Sequence, residues 1–193
     1  MKVVAILLAA GSAKRFGSDK LLHALPHDVP IAIQAARHLR EVFDDGIVAV
    51  VRPETKALAD LLGKEGCRVV VCENAADGMG ASLACGVQAA GPADAYLVAL
   101  GDMPFIRAST IAAVRDALAG GAALVAPYFR ARRGHPVGIA GRYRAELEAL
   151  RGDEGAKGLL GRHVDEMVKI PVGDPGVIRD IDTPGDLAPP IVV

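Results

Sequence analysis

Four runs of consecutive apolar residues, 3–8, 47–51, 95–100 and 122–127, are each too short for a core helix and lack the polar alternation of a strand with one wet face. They read as parallel strands buried on both faces, with Arg68–Cys72 as a further, shorter one. Helical segments separate them: Pro30–Val42, with proline in its first turn, then Glu54–Gly63, a segment that starts near Gly78 and Gly80 and runs to Ala90, and Ile111–Ala119. The alternation predicts an α/β fold, a three-layer, mostly parallel twisted sheet with helices on both faces, whose ligands sit beyond the carboxyl ends of the strands. After Pro127 the rhythm changes. Arg130–Ala140 reads as a basic turn leading into a strand, Arg142–Leu150 and Ala156–His163 as helices around a turn at 152–155, and Met167–Pro171 and Val177–Ile181 as short strands. No repeat or linker interrupts the chain, so residues 1–193 are expected to form a single domain.

The chemistry begins where the first run stops. Ala9, Ala10 and Gly11 have almost no side chain, so their backbone N–H groups are open to close approach by an anion, and Gly11 and Gly17 tolerate positive φ. Lys14, Arg15 and Lys20 add cations that suit phosphate oxygens. Spacing excludes two common phosphate loops. Five residues separate Gly11 from Gly17 where the Walker loop needs four, and Gly11-Ser12-Ala13 does not begin Gly-x-Gly-x-x-Gly. An ordinary βα loop with solvated Lys and Arg is the plainer alternative. A second loop, from Asn74 through Gly78, feeds a helix whose free N–H groups suit an anion or a base edge; Ser82 there could equally cap the helix.

Composition narrows the partners. With 22 basic against 23 acidic residues the chain carries no charge excess to attract nucleic acid or acidic membranes, and 4% aromatic content with no Trp argues against base-stacking platforms. No stretch is long enough to span a bilayer, and no secretory cleavage site follows the first apolar run. Cys67, Cys72 and Cys85 lack metal-type spacing and are expected as buried thiols in a reducing cytoplasm, which is the expected location.

Carboxylates are needed wherever a triphosphate is handled, because a divalent cation must be held against it. Asp102, at the end of the run 95–100 in Gly-Asp-Met-Pro, is the best candidate; a turn-forming Asp is the plainer one. Asp180 and Asp182, one residue apart, project to the same side if the segment is extended, although Asp182 could instead cap a short helix near Pro184. Arg130, Arg132, Arg133 and His135 form a basic turn able to take a phosphate, or simply a solvated one.

Leu8 to Lys20, as Leu-Ala-Ala-Gly-x-x-x-Arg-x-Gly-x-x-Lys, resembles the signature of nucleotidyltransferases that attach a nucleoside monophosphate to a phosphorylated acceptor. Over its length the chain is most similar to enzymes that add CMP or GMP to the molybdenum cofactor, and Ala10, where guanylyl members usually have glycine, leans to the cytidylyl branch. The resemblance implies a Rossmann-like nucleotidyltransferase fold and transfer of CMP from CTP, with pyrophosphate released. It implies Arg15, Lys20 and Asp102 as catalytic and Leu8, Ala9, Ala10, Gly11, Arg15, Lys20, Asn74, Gly78 and Ser82 at the nucleotide. Asp102 with Asp180 or Asp182 would bind Mg²⁺, or Mn²⁺ in its place, and Arg133 and His135 would face the acceptor. A molybdoenzyme or its chaperone would receive the product. GTP, a sugar phosphate or another small phosphorylated acceptor are the near alternatives; a nucleotide-binding chaperone or regulatory module without turnover is the alternative of another class. Two departures stand out: His27-Asp28-Val29 precedes Pro30 where similar sequences have a glycine, and Gly185 stands where an acidic residue is common.

Overall fold

A computed structural model of the chain describes residues 1–11, 20–44 and 46–188. Its strands are β1 (Val3–Leu8), β2 (Ile47–Val51), β3 (Arg68–Val71), β4 (Ala95–Leu100), β5 (Leu124–Phe129), β6 (Arg132–Arg133), β7 (Val137–Ala140) and β8 (Met167–Pro171). Its helices are α1 (Ile31–Arg40), α2 (Lys56–Lys64), α3 (Met79–Ala90), α4 (Ala108–Ala119), α5 (Arg144–Glu148) and α6 (Lys157–Arg162). Among the described residues the strands form one eight-stranded sheet in the order β3-β2-β1-β4-β7-β5-β6, with β8 also paired to β5. β3, β2, β1 and β4 run parallel, β7 is antiparallel to both β4 and β5, and β8 is parallel to β5. The sheet is therefore mostly parallel but mixed, an arrangement common in large α/β sheets.

The apolar runs become strands because both faces of each are covered. Ala5 and Leu7 of the first run and Ala9 just beyond it, with Ala49, Val51, Leu97 and Ala99, pack under α1, α2 and α4 through Ile31, Leu39, Leu58, Leu62, Ile111 and Leu118. The alternate residues Val4, Ile6 and Leu8, with Val48, Val50, Tyr96 and Val98, pack under α3, α5 and α6 through Leu83, Val87, Leu147, Leu159 and Leu160. On the second face Gly86 lets α3 sit directly on the sheet, since a Cβ there would lie 2.8 Å from Ile6 Cγ2 and 2.9 Å from Val50 Cγ2.

The order β2-β1-β4 means that the chain leaves β1 in one direction and returns on its other side. The crevice above β1 and β4 is thus a topological switch point, where α/β sheets bind ligands. Leu8 pairs with Leu100 in register, and Gly101 N–H donates to the Leu8 carbonyl at 2.8 Å, so Gly11 and Asp102 leave the sheet side by side.

One expected strand is absent. Val177–Ile181 is not extended pairing; Pro175–Ile178 forms a 3-10 turn instead. Asp174 caps that turn, accepting from Gly176 N–H at 3.0 Å, and Pro175 is preset for its first position. The basic turn after Phe129 is a tight hairpin, with Arg130 and Ala131 at φ 48° and 64°, that pairs β6 back onto β5 before β7 begins.

Candidate active site

Above the switch point lies a cavity of about 430 Å³ lined by Leu8, Ala10, Gly11, Lys20, Arg52, Gly78, Ser82, Asp102 and Asp153 among others. Its two ends differ chemically. At one end, Lys20, on a 3-10 turn at 20–22, directs its ammonium to Asp102 Oδ2 at 3.0 Å and to Asp182 Oδ1 at 3.2 Å. Asp102, Asp180 and Asp182 each bring a carboxylate oxygen within 4.8 Å of the others, although they come from the end of β4 and from the closing segment. That segment is held by Ile181, fully buried, whose N–H donates to the Asp102 carbonyl at 2.9 Å; Asp180 and Asp182 flank it and share its outer side. Burial pushes the Asp102 carboxyl above its ordinary pKa, against the pull of Lys20. Burial also works against the Lys20 ammonium, but Asp102 and then Asp182 outweigh it and hold its pKa above the ordinary value. Three hard oxygen donors at this spacing suit a divalent cation that prefers carboxylates.

The other end is built by α3 and the turn before it. Ala75, Ala76, Gly78 and Met79 line it, and Ser82 is 4% exposed inside the first turn of α3. Ser82 does not cap the helix: Gly78 holds that position, and the Ser82 hydroxyl donates to the Gly78 carbonyl at 3.4 Å. One donor of the helix start is already taken, because Gly80 N–H donates to the Gly152 carbonyl at 2.7 Å. Similarly, Asp182 does not cap the turn at Pro184–Leu187, since Thr183 and Asp186 form a capping box there and leave Asp182 to Lys20.

Other expected residues sit differently from their sequence reading. Ala9 N–H donates to the Val50 carbonyl at 2.9 Å, so the sheet takes up that donor. Gly11 has no positive φ, and a Cβ on it would meet nothing within 4 Å among the described residues. Asn74 is exposed and accepts from Cys72 Sγ at 3.2 Å, off the cavity wall. Arg15, with Lys14 and Gly17, lies outside the described residues. Arg133 is exposed on β6; His135 is half-buried, its backbone N–H given to the Val177 carbonyl at 2.8 Å and its buried Nδ1 without a partner among the described residues. Burial, and then the Arg133 charge, lowers the His135 pKa to about 4, with the Val98 backbone and Asp180 acting the other way.

Two charged lining residues escaped the sequence reading. Arg52 follows β2 directly, and its Nε lies 2.8 Å from Glu54 Oε1; its place beyond a strand's carboxyl end was a usable signal. Asp153 had none, since it reaches the cavity through the docking of a turn 75 residues downstream of Gly78.

Fold and site together define an α/β domain with a phosphate-scale cavity and an acidic cluster at its switch point. Residues 5–167 match the MobA-like NTP transferase domain, and the chain belongs to that family. Nicotine blue oxidoreductase of Paenarthrobacter nicotinovorans is 31% identical over 191 residues, covering 94% of this chain and 92% of that protein. The crystal structure of Rv0371c from Mycobacterium tuberculosis H37Rv superposes with a TM-score of 0.84 at 25% identity, covering 96% of this chain and 94% of that one. Its manganese complex superposes at 0.80 with 23% identity, covering 96% of each chain. Molybdopterin-guanine dinucleotide biosynthesis protein A from Archaeoglobus fulgidus shares the fold at a TM-score of 0.65 and 20% identity, covering 95% and 94% of the two chains. Among the described residues no helix is long and apolar enough to cross a membrane.

Proposed function

We propose that this NTP transferase moves CMP from CTP to the terminal phosphate of the molybdenum cofactor and releases pyrophosphate. The observation that carries the reading is that Lys20 and Asp102 line one end of a cavity shared with Gly11, with Asp180 and Asp182 clustered against Asp102. In this reading the triphosphate lies at that end. An oxygen of the acceptor phosphate, already largely ionised at neutral pH, attacks the α-phosphorus in line. The bond from the α-phosphorus to the bridging oxygen breaks, and its electron pair leaves with pyrophosphate. Lys20 turns from the carboxylates to the triphosphate as substrate enters, Arg15 adds a second cation, and the small side chain of Ala10 leaves room beside the ribose. Asp102, Asp180 and Asp182 would hold a divalent cation, Mg²⁺ or Mn²⁺, which when bound neutralises charge on the triphosphate and the departing pyrophosphate. Arg133 and His135 are assigned to the acceptor side, with His135 neutral. The chain works as one cytoplasmic domain, and a molybdoenzyme or its chaperone takes the product.

Ala10 supports CTP over GTP, and the family supports a nucleoside triphosphate as donor and a phosphorylated acceptor. The test is pyrophosphate release by the purified protein with each of the four nucleoside triphosphates, with molybdenum cofactor or a sugar phosphate as acceptor. Release with CTP that depends on the cofactor supports the reading; release with another pair moves the substrate. The name of the 31% identical relative raises an oxidoreductase reading, which predicts no pyrophosphate with any acceptor.

A further inference from the structure

The cavity carries a second carboxylate, Asp153, beside Gly78 and away from Lys20. Lys20 and Asp102 line one end, with Asp180 and Asp182 beside them, so a nucleotide with its triphosphate there extends its base toward Ala75, Ala76, Gly78, Ser82 and Asp153. Asp153 is brought to that end by a docked turn. Gly80 N–H bonds the Gly152 carbonyl at 2.7 Å, and a Cβ on Gly80 would lie 2.7 Å from the Arg151 carbonyl oxygen. A Cβ on Gly78 would fall on Asp153 Oδ1 and 2.5 Å from the Gly152 carbonyl, and the φ of 117° at Gly78 is itself a glycine conformation. Both glycines at the start of α3 thus serve to seat residues 151–153 against the cavity. Among the described residues, no hydrogen bond or ion pair engages the Asp153 carboxylate.

We infer that Asp153 reads the base of the bound nucleotide and selects one with an exocyclic amino group. An ionised carboxylate only accepts hydrogen bonds, so it pairs with the N4 amino group of cytosine or the N1 and N2 donors of guanine. It opposes uracil, which presents a carbonyl where cytosine has its amino group. This selection rests on the nucleotide-transfer reading above and adds to it the class of base.

The test is equilibrium binding of CTP, GTP, ATP and UTP to the full chain, with Mg²⁺ and no acceptor, by isothermal titration calorimetry. The expected result is that the best amino-bearing nucleotide binds about tenfold or more tighter than UTP, the size of one charge-assisted hydrogen bond. In Asp153→Ala that ratio should fall toward unity, the amino-bearing nucleotides losing affinity while UTP binds as in the wild type or tighter, which also reports that the cavity is intact. In Asp153→Asn, whose amide can donate to a carbonyl, UTP should gain. An unchanged ratio in Asp153→Ala overturns the inference and leaves the transfer reading standing; failure of the wild-type protein to bind any nucleotide overturns both.

Discussion

At Lys20 one ammonium answers two carboxylates, Asp102 at 3.0 Å and Asp182 at 3.2 Å, so a divalent cation entering the acidic cluster must compete with it. Lys20→Met should therefore raise the affinity for Mn²⁺ in the absence of nucleotide by about tenfold, because a positive charge leaves the cluster. The same variant should lose pyrophosphate release, because the triphosphate then lacks its cation. Calorimetry with Mn²⁺ separates these effects; unchanged metal affinity would show that Lys20 does not guard the cluster. His135 gives a second prediction. Its pKa falls from 6.5 to about 4 because burial and Arg133 disfavour the charged ring, against Asp180 and the Val98 backbone. The folded state keeps the ring neutral while the unfolded chain takes up a proton near 6.5, so stability drops as pH falls from 6.5 toward 4, by at most about 1.4 kcal/mol per unit. Glu146 and Glu166, held below their ordinary 4.5, lose their contributions only at more acid pH. Thermal melts in EDTA between pH 6.5 and 4.5 should show the slope in the wild type and a flatter one in His135→Gln. Asp102 was legible in the sequence because it adjoins the end of β4, and Lys20 because it closes the spaced motif that begins at Leu8. Asp153 was not, because no local pattern encodes a turn seated on two distant glycines.

Among the elements, α4 and the 3-10 turn at Pro175–Ile178 share one anchor. Asp174, 2% exposed, accepts from Arg107 N–H at 2.9 Å, Thr110 Oγ1 at 2.7 Å and Gly176 N–H at 3.0 Å. Asp174→Ala leaves three donors without their acceptor and should cost about 3 kcal/mol in urea unfolding, with Asp174→Asn costing less. Two helix glycines should respond with opposite signs. Gly63 in α2 is exposed, and a Cβ there would meet nothing within 4 Å, so Gly63→Ala should stabilise by about 0.5–1 kcal/mol. Gly86 in α3 sits on Ile6 and Val50, and overpacking there should outweigh the propensity gain, so Gly86→Ala should destabilise by about 1–2 kcal/mol. The same contrast explains which elements the sequence revealed. β1, β2 and β4 carry the boundaries read from their apolar runs, since burial on both faces is written into composition. Val177–Ile181 looked equally strand-like, but a strand needs a neighbour. Gly176 is pressed against Phe105, its absent Cβ 2.5 Å from that carbonyl carbon, and Asp174 and Pro175 turn the chain there instead.

Over the whole molecule, the site joins residues near both ends of the chain: Gly11 and Lys20 from the first crossover, Asp102 from mid-chain, Asp180 and Asp182 from the closing segment. Alternating apolar runs made the layered α/β class legible, but periodicity carries no strand direction, so the insertion of antiparallel β7 between β4 and β5 could not be read. The closing segment is where this long-range architecture is most open to test. Ile181 is fully buried in the core under α1 and α4, and its N–H bonds the Asp102 carbonyl, so the packing that stabilises the fold also sets the two acids beside the third. Ile181→Ala should cost about 3 kcal/mol through the cavity it leaves, and should weaken Mn²⁺ binding because Asp180 and Asp182 lose their shared pivot. Ile181→Val, which keeps the β-branched shape, should cost about 1 kcal/mol and hold metal affinity near the wild-type value. Urea unfolding and Mn²⁺ calorimetry on the two variants decide the point: a loss of stability with metal affinity intact would mean that the backbone bond to Asp102 alone aligns the acids, whereas parallel losses tie the cluster to the core.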